Sequence, residues 1–275
     1  MRLSNRLLVS RKATQARISV SSSHRSVMSA RYQLIRIRTR CSVRRVVRIR
    51  TTPGVPGSGR IKERTMKIAM LGAGNVGSAL AARLVTLGHH VTLVASDPAS
   101  ARLAAAAAAS GAEIGTAVDA ATVADHVVLA VPFAAIDDLL TDEVRDALAG
   151  KVVIDATNPL AADFMSLTVG HTTSGGERVA ERLPRSHVVK AFNTIFAATL
   201  GTPTLGGAAQ LLPVAGDDAG AKRAVIDLGI QLGFDAIDAG PLSNARYLEP
   251  AVELLIQLAY GQGLGANIGL HLARG

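Results

Sequence analysis

The stretch Lys67-Ile68-Ala69-Met70-Leu71 runs without a break into Gly72-Ala73-Gly74-Asn75-Val76-Gly77, and no other feature narrows the available folds as much. An apolar run of this kind reads as a buried strand, and the residues after Val76 carry helical apolar spacing. Between them the three glycines have separate tasks. Gly72 permits a tight turn, Gly74 lets the backbone approach a diphosphate with no side chain in the way, and Gly77 allows the helix to pack closely on the sheet. The amides around Gly74, Asn75 and Val76, with Ala73 in the same turn, would then point at phosphate oxygens from a helix N-terminus.

The rest of the chain from Met66 fits that start. Residues 67–71, 91–95, 126–131, 151–155, 187–192 and 211–215 are short Val-, Ile- and Leu-rich runs, and the spacing predicts helices over 76–87, 98–110, 134–148, 175–183, 218–232 and 245–260. Alternation of this sort predicts a Rossmann-type, doubly wound α/β fold, a mostly parallel sheet covered on both faces. We expect a dinucleotide-binding domain over 66–192 and a small helical C-terminal region over 193–275.

Charge divides the chain at the same point. Of its 30 Lys and Arg, 17 lie before Met66 with one acid, Glu63, leaving 13 bases against 20 acids in the body. The basic character therefore belongs to a leader, residues 1–65, which is Arg- and Ser-rich and ends in a Pro- and Gly-rich run. It reads as a disordered arm or a mis-assigned start, with a presequence, a nucleic-acid arm and a membrane-binding arm as competing readings. The body is not expected to bind nucleic acid. Its lack of cysteine, the only one being Cys41, excludes thiolate catalysis, cysteine metal sites and disulfides there. Uncharged stretches at 191–216 and 254–273 are too often broken by polar residues, Gly or Pro to read as membrane spans. A cytoplasmic protein is the expectation.

Several residues follow the strands at the sheet's carboxyl edge, where open sheets of this class bind ligands. Asp97 stands twenty residues beyond Gly77, an offset at which a carboxylate takes ribose hydroxyls and favours NAD. Alternatively Ser96 and Arg102 serve the 2′-phosphate of NADP while Asp97 caps the helix that begins at Pro98. Val131-Pro132 and the Asn158 loop would line the nicotinamide half of the crevice.

Beyond the glycine turn, three further segments stand out: Val188-Val189-Lys190-Ala191-Phe192-Asn193-Thr194-Ile195, Gly216-Asp217-Asp218, and Asp238-Ala239-Gly240-Pro241-Leu242-Ser243-Asn244-Ala245-Arg246. With these the body resembles, over nearly its whole length, the NADPH-dependent reductases of the 8-hydroxy-5-deazaflavin coenzyme F420. The resemblance implies an oxidoreductase that moves a hydride between the nicotinamide C4 of NADP(H) and the deazaflavin C5, with a flavin-type coenzyme as the alternative partner. It also implies that Asn193, Thr194 and Ile195 lie beside the ring pair and that Pro241-Leu242-Ser243-Asn244 helps close the pocket. The family's Ser-Arg pair at the second strand is replaced here by Ser96-Asp97.

No acid, base or metal is required for such a transfer, and no catalytic or metal-binding residue is expected. Lys190 reads as a salt-bridged or sheet-edge lysine, with catalysis on a keto acid or imine as the alternative. A dinucleotide sensor without turnover is a further alternative. Tyr247, Leu254, Leu255 and Tyr260 would pack the C-terminal helix or an interface between two copies in a homodimer.

Overall fold

In the computed structural model the described residues are 65–275, preceded by three short strands, β1 (Ile18–Ser19), β2 (Leu34–Ile37) and β3 (Val47–Arg48), that pair antiparallel in that order. The expectation of a disordered arm lies otherwise outside the described residues. The chain divides into two compact units, Met1–Glu63 and Arg64–Gly275.

The second unit is built on strands β4 (Lys67–Leu71), β5 (His90–Val94), β6 (Glu113–Ile114), β7 (His126–Leu129), β8 (Val152–Asp155), β9 (His187–Lys190), β12 (Leu211–Gly216) and β13 (Asp235–Asp238). A small hairpin, β10 (Thr204–Leu205) with β11 (Ala208–Ala209), precedes β12. The large sheet runs β13-β12-β9-β8-β7-β4-β5-β6. All neighbours are parallel except β12 and β9. The chain winds outward from β4 in one direction through β5 and β6, then returns to β7 and winds the other way. The crevice between the carboxyl ends of β4 and β7 is thus the topological switch point.

Alternation along the strands sorts the core into two layers. Ile68, Met70, Val128, Ile154 and Val189 face α1 (Asn75–Thr86), α2 (Ala101–Ser110) and α8 (Ala219–Gln231). Ala69, Leu71, Val127, Leu129, Val153 and Val188 face α3 (Ala117–Val123), α4 (Ile136–Leu139), α5 (Asp142–Ala147) and α6 (Gly175–Arg182). Burial on both faces is why these strands read as continuous apolar runs. Leu80 and Leu84 of α1 are fully buried, each worth about 1.5–3 kcal/mol.

Four expectations need correction. Strands β7 and β9 are shorter than expected, ending at Leu129 and Lys190 rather than 131 and 192. The helix expected from Pro98 starts at Ala101, because Ser100 supplies the cap. The helix expected over 134–148 is interrupted: Leu140 takes a non-helical backbone, and the Thr141 hydroxyl starts α5 by accepting the Val144 amide. Residues 193–275 are not simply helical, since α7 (Ala197–Leu200), α8 and α9 (Ala245–Ile256) share that region with β12 and β13. The boundary expected near 192 therefore falls inside one compact unit. The last turn of the C-terminal helix widens to a π-turn at Gln257–Gly261.

Candidate functional site at the carboxyl edge of the sheet

The glycine turn behaves as its spacing requires, and the three glycines differ in why they are glycine. Gly72 has φ +125°, and a Cβ there would lie 2.3 Å from the Ala130 carbonyl oxygen at the exit of β7. A Cβ on Gly77 would lie 1.9 Å from the Gly72 carbonyl oxygen. Both positions are closed to any side chain by the protein's own backbone. Gly74 is different: its φ of −74° suits any residue, and the nearest atom to an added Cβ is the Ala130 oxygen at 4.0 Å. The protein itself does not demand glycine there.

Gly74 is also the cap of α1, and among the described residues no side chain accepts a hydrogen bond from the first turn. By contrast α2, α3, α5, α6 and α8 are capped by Ser100, Thr116, Thr141, Ser174 and Asp218. The first-turn amides of α1, Asn75 and Val76 included, are thus left to an external acceptor, and the helix dipole favours an anionic one. A dinucleotide's diphosphate fits this cradle.

The structure brings the adenosine-end candidates to the same edge. Ser96 and Asp97 leave β5 exposed to solvent. Asp97 does not cap α2: its Oδ1 accepts the Ala99 amide at 2.9 Å, while Ser100 Oγ accepts the Leu103 amide at 3.2 Å. Arg102 donates from Nη2 to Asn75 Oδ1 at 3.0 Å, which ties the first turn of α2 to that of α1.

On the other side of the switch point, Val131 and Pro132 leave β7 half-buried and exposed, respectively. Asn158 and Asn193 join the loops after β8 and β9 through two hydrogen bonds, Asn158 Nδ2 to the Asn193 carbonyl and Asn193 Nδ2 to Asn158 Oδ1, both 3.1 Å. Asn193 Oδ1 and Thr194 Oγ1 are buried with no partner among the described residues. Directly before them Phe192 takes φ +64°, a strained conformation for a bulky residue. Its buried ring, edge-on to Phe234 at 6.2 Å, helps hold it there. Strain and unpaired polar atoms at one loop mark a binding site more than a packing element.

Beneath this loop lies an ionic network that inspection of the chain did not assemble. Lys190 is fully buried and donates all three of its protons, to Asp155 Oδ2 at 3.0 Å, Glu249 Oε1 at 2.7 Å and the Thr157 carbonyl at 2.7 Å. Asp155 also accepts the amide and hydroxyl of Thr157. Glu249, reaching in from α9, accepts the Gly175 and Gly176 amides at 2.8 and 2.9 Å and so caps α6. Burial alone would depress the Lys190 ammonium, but the Asp155 and Glu249 carboxylates outweigh it and raise the group above the usual lysine range. The salt-bridged reading of Lys190 is the one observed. With no proton left to offer, it is poorly placed to serve a substrate as an acid.

Two of the motifs singled out in the sequence meet physically. Asp217 Oδ1 accepts the Leu242 amide at 2.9 Å, and Lys222 binds both Asp238 and the Gly240 carbonyl. Leu242 is buried against the second core layer. Arg246 clamps Glu177 of α6, Nε to Oε2 at 2.8 Å, and that contact holds Glu177 below the usual carboxylate range. Of the C-terminal residues, Leu255 is buried, whereas Tyr247, Leu254 and Tyr260 are exposed. No helix among the described residues is long and apolar enough to cross a membrane.

Comparison with known proteins bears on family and fold. The family model described as NADP oxidoreductase, coenzyme F420-dependent, matches residues 67–159. The F420-dependent NADP reductase of Methanothermobacter thermautotrophicus is 35% identical over 216 residues, covering 72% of this chain and 91% of that protein. Metalloreductase STEAP3 of Rattus norvegicus is 31% identical over 183 residues, 66% of this chain; the chain spans only 36% of that longer relative. A solved structure from Arthrobacter sp. FB24, provisionally described as an F420-dependent NADP-reductase, superposes with a TM-score of 0.69 at 32% identity, covering 76% of this chain and all of that one. A match spanning nine-tenths of a relative reaches well past the glycine turn that generic dinucleotide folds share, and the chain belongs to the coenzyme F420-dependent NADP oxidoreductase family.

Proposed function

We propose that this chain transfers a hydride between NADP(H), with NAD(H) as the alternative nucleotide, and an 8-hydroxy-5-deazaflavin coenzyme. The observation that carries the nucleotide half is Gly74, whose absent side chain leaves room that nothing among the described residues fills, beside helix amides that no side chain among them caps. The deazaflavin half is supported by the Methanothermobacter relative, whose name states that chemistry. In this reading residues 66–192 supply the nucleotide site, and 193–275, within the same compact unit, supply the wall against the second coenzyme.

When bound, the nicotinamide supplies hydride from C4 and the deazaflavin accepts it at C5, with one proton taken from solvent. The protein's part is to bind and orient. Backbone amides of the first turn of α1 grip the diphosphate. Val131, Pro132, Asn158, Asn193 and Thr194 would hold the nicotinamide end, where Asn193 Oδ1 and Thr194 Oγ1, unpaired among the described residues, suit an amide-bearing ring edge. The Asp155, Lys190 and Glu249 network fixes the Thr157 carbonyl and with it the Asn158 loop. Holding two rings in register can itself supply much of the barrier reduction.

Mixing the protein with NADPH and oxidised deazaflavin coenzyme should bleach the deazaflavin absorbance catalytically. Nucleotide binding with no bleaching would refute the deazaflavin half and leave a nucleotide-binding protein.

A further inference from the structure

The residues at the end of β5 decide more than where the nucleotide sits. Asp97 is exposed, and helix α2 does not use it, since Ser100 caps that helix. One carboxylate oxygen holds the Ala99 amide, which fixes the side chain and leaves the other oxygen free to accept. Among the described residues no Lys or Arg pairs with it. The nearby cation, Arg102, is turned the other way, tethered by Asn75 to the first residue of α1, where the diphosphate is expected. A free carboxylate at this offset accepts hydrogen bonds from a ribose 2′-hydroxyl and repels a 2′-phosphate.

We infer that Asp97 is the residue that sets nucleotide choice in this chain, opening the site to NADH, and that Arg102 serves the diphosphate common to both nucleotides instead of a 2′-phosphate. This rests on the nucleotide site proposed above. It means that NADH binds within about tenfold of NADPH, although relatives are named for NADP.

The test is equilibrium binding, read from nicotinamide fluorescence without any second coenzyme. Wild-type protein should hold NADH and NADPH with dissociation constants within about tenfold of each other. Asp97→Ser should move their ratio toward NADPH by at least about tenfold, because the like-charge repulsion is gone. Arg102→Ala should weaken both nucleotides by a similar factor. Asp97 and Arg102 are both exposed, so loss of folding does not confuse either variant. A wild-type preference for NADPH beyond about tenfold, an unchanged ratio in Asp97→Ser, or loss of NADPH alone in Arg102→Ala would each overturn the inference. If neither nucleotide binds wild-type protein, the nucleotide site itself is wrong and the inference falls with it.

Discussion

Replacing Lys190 by Met tests what the buried network does. The side chain is close in length, so the change removes a charge more than a volume. It strands Asp155 and Glu249, both essentially inaccessible to solvent, as two facing carboxylates. Breaking a buried ion pair from one side costs about 3–5 kcal/mol. The amides of Thr157, Gly175 and Gly176 still bind the two carboxylates, which places the expected loss near 3 kcal/mol on that scale. For a folded unit of this size that lowers the melting temperature by about 10 °C. The pH dependence adds a second reading. Because the folded-state pKa of Lys190 is raised above its usual 10.5, the stability it contributes is fully present below that pH and is lost as pH rises through the folded value. The gap between wild type and variant in urea unfolding should therefore stay level from neutral pH to about pH 9 and narrow only in strong alkali. A variant as stable as wild type, or a gap that closes near pH 8, would refute the network as described.

Other outcomes follow from the same contacts. Ser100→Ala should destabilise by about 1 kcal/mol in urea unfolding, as loss of a helix cap does, while Asp97→Ala changes stability by less; the reverse order would restore Asp97 as the cap. Glu177→Gln should melt below wild type at pH 7, since Arg246 holds the Glu177 pKa down. A depressed carboxylate contributes stability above its unfolded pKa and loses it as pH falls through the folded value, so the two melting curves should converge in acid; a constant difference down to pH 3 would contradict that pairing.

Much of this fold is legible in the chain because its strands are buried on both faces and its turns use distinctive residues. Lys67 to Gly77 declares strand, turn and helix in one pass, and the structure keeps all three. The helix expected over 134–148 shows the limit. Ile136, Leu140, Val144 and Leu148 recur every four residues and all are buried in one layer, so the apolar face was readable while the break at Leu140 was not. At Ser96-Asp97-Pro98 the cap signal at Asp97 stands three residues ahead of the cap actually used, Ser100. Strand β6, two residues long, carries too few residues for any periodicity, and β13, Asp235–Asp238, is half acidic and shows no apolar run. The buried network was illegible for a different reason: Asp155, Lys190 and Glu249 lie 35 or more residues apart, and only the packing of α9 against α6 and β9 brings them together. Asn158 is expected at the crevice from its strand exit and Asn193 from the family resemblance, but their mutual hydrogen bonds are a product of adjacent strand exits.

The account stands or falls on the claim that Gly74 is glycine for the sake of a ligand and Gly77 for the sake of the fold. Its sharpest measurement compares Gly74→Val with Gly77→Val, each scored by urea unfolding and by NADPH titration. For Gly74→Val the added Cβ meets nothing nearer than the Ala130 oxygen at 4.0 Å, so stability should stay within about 1 kcal/mol of wild type. Nucleotide affinity should drop at least about a hundredfold as the charge-assisted amide contacts are lost. Gly77→Val should fail to fold or lose several kcal/mol, on the order expected for overpacking. A Gly74→Val protein that folds and binds NADPH as tightly as wild type would contradict the central claim.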